Sequence, residues 1–257
     1  MSPSPLENTL VCGDRKLAYL QQPGSQPGVL FLGGFRSDMR GAKAEALATW
    51  CCTTDRAFTR FDYSGHGTSS GEFEEGTISR WLEDAVAILD QVTTGPQLLV
   101  GSSMGGWIAL LLALARPSDS HSLLTIACAT DFTERLVKPA LTKEQLAQIE
   151  AEGMTHIPSA YDQEPYPITK QLLKDGKQHL LLGHPIPIHC PVRMLHGGSD
   201  RDVPWKISQE TLKWLEGDDA QLTLVKGADH RLSKPAELQL ITETLKLLTL
   251  LPGAREA

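Results

Sequence analysis

The sequence predicts an α/β fold, a mostly parallel central sheet with helices on both faces. Three observations predict it. Short apolar or β-branched runs alternate with amphipathic stretches along most of the chain. A length of 257 residues at 41% hydrophobic is enough to bury one large core. No internal repeat or low-complexity tract interrupts the alternation.

Taken in order, the predicted strands are residues 16–20, 29–32, 57–61, 97–100, 123–128, 192–195 and 221–225. The predicted helices are 42–51, 77–91, 104–115, 205–215 and 236–250. In the second of these, Ile78, Trp81, Leu82, Ala85, Ile88 and Leu89 recur at three- and four-residue spacings, which gives one apolar face. The pattern changes at residues 131–189. Helical pieces at 142–152 and 168–182 flank a stretch rich in Tyr, Pro and His, and Gly183-His184-Pro185-Ile186-Pro187 leads back to the sheet. An insertion this long in a compact domain predicts a lid or binding element. The expectation is therefore one domain over 1–257 with 131–189 as its inserted cap.

A net charge of −7 and a pI near 5.6, with no run of Lys or Arg, argue against a nucleic-acid or anionic-membrane partner, which would favour a basic face. The longest wholly apolar stretch, Trp107 to Ala115, is too short to span a bilayer. Met1 to Thr9 carry no targeting pattern, so the chain reads as cytoplasmic, or as mitochondrial matrix if it is a processed form. Five cysteines (Cys12, Cys51, Cys52, Cys128, Cys190), with no paired spacing and no His/Cys cluster, suit a reducing compartment and no zinc site.

Gly-x-Ser-x-Gly occurs twice, around Ser103 and around Ser69. A nucleophile elbow needs a strand, a tight turn and an immediate helix, so that the serine oxygen stands exposed. Gln97-Leu98-Leu99-Val100 precedes Ser103 and Trp107-Ile108-Ala109-Leu110 follows it. Ser69 is followed by loop and reads as a decoy. A serine hydroxyl needs a neighbouring base. His230, just after the last predicted strand, is the candidate. His66, in a glycine-rich turn, reads as structural, and His196 as shaping the turn after its strand; His156, His179, His184 and His189 belong to or border the insertion. The acid that orients the base is Asp200, in the loop after residues 192–195, with Asp202 and then Asp131 as alternatives. The backbone N–H groups of Met104 and of Phe35, in Gly33-Gly34-Phe35-Arg36, are the candidate oxyanion donors. Met154, Ile157, Tyr161, Tyr166 and Ile168 are candidates for an apolar wall that binds substrate.

Gly33-Gly34-Phe35, Gly101–Gly105, His196–Pro204 and Asp229-His230, in that order, resemble the α/β-hydrolase superfamily. Phe61-Asp62-Tyr63-Ser64-Gly65, Val100 to Trp107, Pro185-Ile186-Pro187 and Val203-Pro204-Trp205 more closely resemble its abhydrolase-domain-containing protein 10 subfamily. That resemblance implies hydrolysis of thioesters and activated esters, as in mitochondrial palmitoyl-protein thioesterases and acyl-glucuronide esterases. The expected activity is thus a cofactor-free serine hydrolase acting through an acyl-enzyme on Ser103. Its substrate would be a small-molecule ester or thioester, or an acylated protein. C–C bond hydrolysis by the same triad is one alternative, although the sequence shows no pair of arginines marking the pocket it needs. A catalytically inactive ligand-binding protein is the other.

Overall fold

The computed structural model describes residues 7–158 and 165–252. Along them run β1 (Asn8–Cys12), β2 (Arg15–Gln22), β3 (Ser25–Leu32), α1 (Ala42–Thr53), β4 (Arg56–Phe61) and α2 (Ile78–Val92). Then come β5 (Gln97–Ser102), α3 (Met104–Ala115) and β6 (Ser120–Ile126). A π-helical turn (Thr133–Val137) continues into α4 (Lys138–Ala140), followed by α5 (Lys143–Glu152), β7 (Met154–Ile157), β8 (Tyr166–Thr169) and α6 (Lys170–Gly176). The chain closes with β9 (Val192–Gly197), α7 (Lys206–Trp214), β10 (Ala220–Val225) and α8 (Pro235–Leu248).

Eight strands form one sheet in the order β1-β2-β4-β3-β5-β6-β9-β10. Pairing is antiparallel from β1 through β2 to β4 and parallel from β4 to β10. Two-residue alternation builds a core on each face. In β3, Val29 and Phe31 join a cluster with Ala44 and Leu47 of α1 and Ile241 and Leu245 of α8. Leu30 and Leu32 point the other way, into a cluster with Trp81 and Ile88 of α2 and Ile108 and Leu112 of α3. α3 is buried from Met104 through Ala113, as expected for a helix apolar all round. Among the described residues no helix is long and apolar enough to cross a membrane.

The predicted strands and helices of the main sheet all appear. β1 is an addition. It is a largely exposed edge strand whose Asn8 and Thr9 give it no apolar signature. The inserted segment differs more. α5 forms where expected, its start fixed by a capping box between Thr142 and Gln145. Residues 154–157 and 166–169, however, pair as a separate antiparallel hairpin, with Ile168 opposite Thr155 and Thr169 opposite Met154. The helix predicted from 168 therefore begins only at Lys170 and ends at Gly176. Beyond it Asp131 accepts the backbone N–H groups of Leu181 and Leu182, at 2.9 Å each, and turns the chain out of the helix. α6 is tied to α2 through Asp175, which accepts from the Ser79 hydroxyl (2.6 Å) and backbone N–H (2.9 Å).

Candidate active site

Between β5 and α3 the backbone turns at Ser103, which has φ 56° and ψ −119°. That conformation costs a non-glycine residue about 1–3 kcal/mol and persists only where the surroundings over-determine it. Here Ser103 N–H donates to Ile126 O (2.9 Å), and its carbonyl accepts from Gly106 N–H (2.9 Å) and Ala129 N–H (3.1 Å). The flanking glycines are required by close approach. A Cβ on Gly101 would lie 2.2 Å from Gly105 O, and one on Gly105 would lie 2.2 Å from Leu32 O.

The turn aims the Ser103 hydroxyl at the loop after β10. His230 Nε2 lies 3.0 Å from Ser103 Oγ, and His230 Nδ1 lies 2.8 Å from Asp200 Oδ2. An ionised carboxylate only accepts, so Nδ1 carries the hydrogen and Nε2 is left to accept from the serine. The Asp200 carboxylate is fully buried. Its Oδ1 takes the N–H groups of Asp202 (2.9 Å) and Val203 (2.8 Å). Its Oδ2 has a second histidine, His196 Nε2, at 3.1 Å. His196 is buried and also reaches Val203 O (2.9 Å) and the Ser208 hydroxyl (2.7 Å). Burial alone would raise the Asp200 carboxyl. The hydrogen bonds from His196, His230 and Val203 outweigh it and hold the group well below the usual carboxylate range. His196 thus does more than shape a turn, and only its burial beside the acid reveals it.

The Ser69 hydroxyl donates to Asp62 O (2.6 Å) and accepts Ala18 N–H (2.9 Å), which fastens its loop to β2. Asp131 is spent on Leu181 and Leu182. Asp202 is exposed and lines the cavity, with a carboxylate oxygen within 4.8 Å of a His230 ring nitrogen, while His230 Nδ1 lies 2.8 Å from Asp200 Oδ2.

Gly34 and Phe35 meet Ser103 and Met104 at one cavity of about 680 Å³. A Cβ on Gly34 would come within 3.5 Å of Ser103 Cβ, so the loop after β3 runs directly beside the elbow. Neither Phe35 N–H nor Met104 N–H has a hydrogen-bond acceptor among the described residues. One wall of the cavity is apolar: Phe132, Leu136, Val137, Ile157, Tyr166 and Ile168. Tyr161 lies outside the described residues. Met154 is a correction. It is not on the cavity wall, because in β7 it alternates with Thr155 and Ile157, and Ile157 is the residue that faces the cavity. Leu136 and Val137 escaped sequence reasoning because Glu134, Arg135 and Lys138 interrupt their pattern. The lining also includes the charged residues Asp38, Lys43, Asp202 and Arg231. Arg36 and Arg231, far apart in the sequence, both line the cavity. Lys43 donates to Arg231 O (2.6 Å), and burial lowers its ammonium to about 8.

His66 sits behind the loop after β3, with its Nδ1 3.2 Å from Ser64 O and its Nε2 3.1 Å from Arg36 N. Burial pushes its titration down to about 4. An unfolded chain takes this proton near pH 6.5, so between there and 4 it binds more protons than the fold does. Stability must therefore fall as pH drops through that window, by on the order of 3 kcal/mol from this residue. Urea unfolding at pH 7 and pH 4.5 is expected to show a smaller drop in His66→Gln than in the wild type. An equal drop would assign the acid sensitivity to other groups.

A strand-turn-helix serine, hydrogen-bonded to a loop histidine and through it to a buried aspartate on a mostly parallel sheet, defines a serine hydrolase of the α/β type. Residues 28–175 match the family described as serine aminopeptidase, S33 (Hydrolase_4), and the chain belongs to this α/β-hydrolase family. It is 41% identical over 244 residues to the mitochondrial palmitoyl-protein thioesterase ABHD10 of Mus musculus, covering 92% of this chain and 81% of that one. The solved structure of the mouse α/β-hydrolase domain-containing protein 10 superposes with a TM-score of 0.88 at 39% identity, covering 95% of this chain and 98% of that one. A hydrolase of Agrobacterium vitis S4 superposes with a TM-score of 0.90 at 37% identity, with the same coverage.

Proposed function

We propose that the chain hydrolyses esters or thioesters of apolar acyl chains through an acyl-enzyme on Ser103. The supporting observation is the hydrogen-bond chain from Ser103 through His230 to Asp200, with Ser103 and His230 lining a cavity that also presents apolar and charged side chains. Ser103 Oγ adds to the acyl carbonyl as His230 Nε2 takes its proton. The tetrahedral oxyanion forms against the N–H groups of Phe35 and Met104. His230 then protonates the leaving thiol or alcohol, and afterwards activates the water that frees the acid. Asp200 holds the imidazole in the required tautomer throughout.

The segment between β6 and β9 acts as a cap in this reading. Its Phe132, Leu136, Val137, Ile157 and Tyr166 receive the acyl chain, while the leaving group lies toward Ser37, Lys43 and Arg231. The cavity is within the ~300–1,000 Å³ typical of small-molecule sites. The names of the mammalian relatives, palmitoyl-protein thioesterases, support long acyl thioesters as substrates, whether small molecules or acylated proteins. Those names also say mitochondrial, which favours a mitochondrial location over the cytoplasm for this chain.

A panel of p-nitrophenyl esters and acyl-cysteine thioesters of graded chain length tests the substrate. Each methylene placed against the apolar wall stabilises the bound acyl chain by about 0.8 kcal/mol, so kcat/KM is expected to rise with length. Tyr166→Ala is expected to lower kcat/KM several-fold for long chains and little for acetate. A uniform loss at every length would take the acyl chain off the cap.

A further inference from the structure

We infer that His66 is a positioning residue that presets the oxyanion hole by holding the peptide between Phe35 and Arg36. The inference rests on the reading of Phe35 N–H as an oxyanion donor, and its starting point is hydrogen-bond valence. Ser64 O can only accept and Arg36 N–H can only donate. With those groups 3.2 Å and 3.1 Å from its two ring nitrogens, His66 fits in one state alone: neutral, hydrogen on Nδ1, lone pair on Nε2. A protonated ring would set two N–H groups against each other, and the other tautomer would lose both bonds.

Arg36 needs such a brace. Its φ is 56°, a left-handed conformation that an L-residue rarely adopts. The bond from Arg36 N–H to His66 Nε2 opposes rotation of the Phe35–Arg36 peptide plane. The rest of the loop is fixed as well. Gly34 O accepts both the N–H (3.2 Å) and the hydroxyl (2.7 Å) of Ser37. The Phe35 ring is packed edge-on against Phe73, Trp81, Phe132 and Tyr166, with centroids 4.9–5.8 Å apart. Phe35 N–H, beside Ser103, therefore stands without a protein acceptor among the described residues.

His66 is itself buried and closely packed. It lies edge-on to Phe73 (5.0 Å), Trp81 (5.3 Å) and Tyr63 (5.6 Å). Its turn is drawn in at Gly67, where φ is +48° and a Cβ would sit 2.0 Å from the Asp62 carboxylate. The loop after β4 thus carries a rigid acceptor to the loop after β3. The service is electrostatic preorganisation: the donor is placed before charge develops, so no reorganisation is required during the reaction.

The test compares His66→Phe, which keeps a ring but no acceptor, with His66→Gln, whose amide oxygen can accept Arg36 N–H. Both are measured beside the wild type after circular dichroism shows that they fold. A misplaced oxyanion donor costs about 10- to 100-fold in kcat. His66→Phe is expected to lose that factor with KM nearly unchanged. Its affinity for an alkyl trifluoromethyl ketone, whose carbonyl carbon bonds Ser103 Oγ to give an oxyanion, is expected to weaken by a similar factor. Affinity for the product carboxylic acid should stay constant, and His66→Gln should regain most of the loss. A His66→Phe variant with wild-type kcat and ketone affinity would overturn the inference. So would equal weakening of ketone and product, or a His66→Gln variant no better than His66→Phe. If the wild type neither hydrolyses esters nor binds the ketone, the hydrolase reading fails first and takes this inference with it.

Discussion

Replacing Ser103 by alanine is expected to lower kcat by about 10⁴- to 10⁶-fold on any substrate the wild type turns over, because no acyl-enzyme can form. KM should change little, since the hydroxyl contributes almost nothing to the cavity's apolar wall. The fold should survive: the elbow is held by backbone bonds to Ile126, Gly106 and Ala129, which alanine retains. Ser69→Ala is the matched control. Its hydroxyl ties a loop to β2 and to Asp62 just after β4, so its loss should cost stability and leave kcat within a few-fold of wild type. A Ser69→Ala protein that folds and is inactive, beside an active Ser103→Ala, would reverse the assignment.

The second large effect is at the acid. In Asp200→Asn, Oδ1 can still accept Asp202 and Val203 N–H, so the loop should keep its shape. The new amide nitrogen, however, would face His230 Nδ1 and His196 Nε2. That arrangement sets donor against donor and drives His230 to the tautomer with its hydrogen on Nε2, which cannot accept from Ser103. The expected loss is about 10³- to 10⁴-fold in kcat. Asp202→Asn is expected to cost tenfold at most, because Asp202 stands exposed at the cavity edge. Equal losses at the two positions, measured on folded protein, would mean that the loop works as a unit.

The sheet was legible because its signals are local. A strand buried on both faces, such as β5 with Leu98, Leu99 and Val100, reads as an unbroken apolar run, and α2 announces itself by spacing. Ser103 was legible as a candidate for the same reason, since strand, turn and helix are consecutive in sequence. Asp200 and His230 followed from chain order and from their places just beyond β9 and β10. What was hidden depends on contacts between distant segments. Nothing around His66 signals that its ring reaches Arg36, and nothing around His196 signals that it shares an oxygen of Asp200 with His230. The hairpin of β7 and β8 has four-residue strands, too short for alternation to set against the Tyr, Pro and His around it. The misassignment of Met154 follows directly, since a residue's face cannot be read until its strand is known.

Covalent labelling tests the central claim most directly. The wild-type protein is treated with an alkyl fluorophosphonate, digested, and the modified peptide sequenced by mass spectrometry. A single adduct on Ser103, absent when His230 is replaced by alanine, is the result expected of a serine activated by that imidazole. An adduct on Ser69 or another side chain, or no adduct on folded protein, would contradict the account.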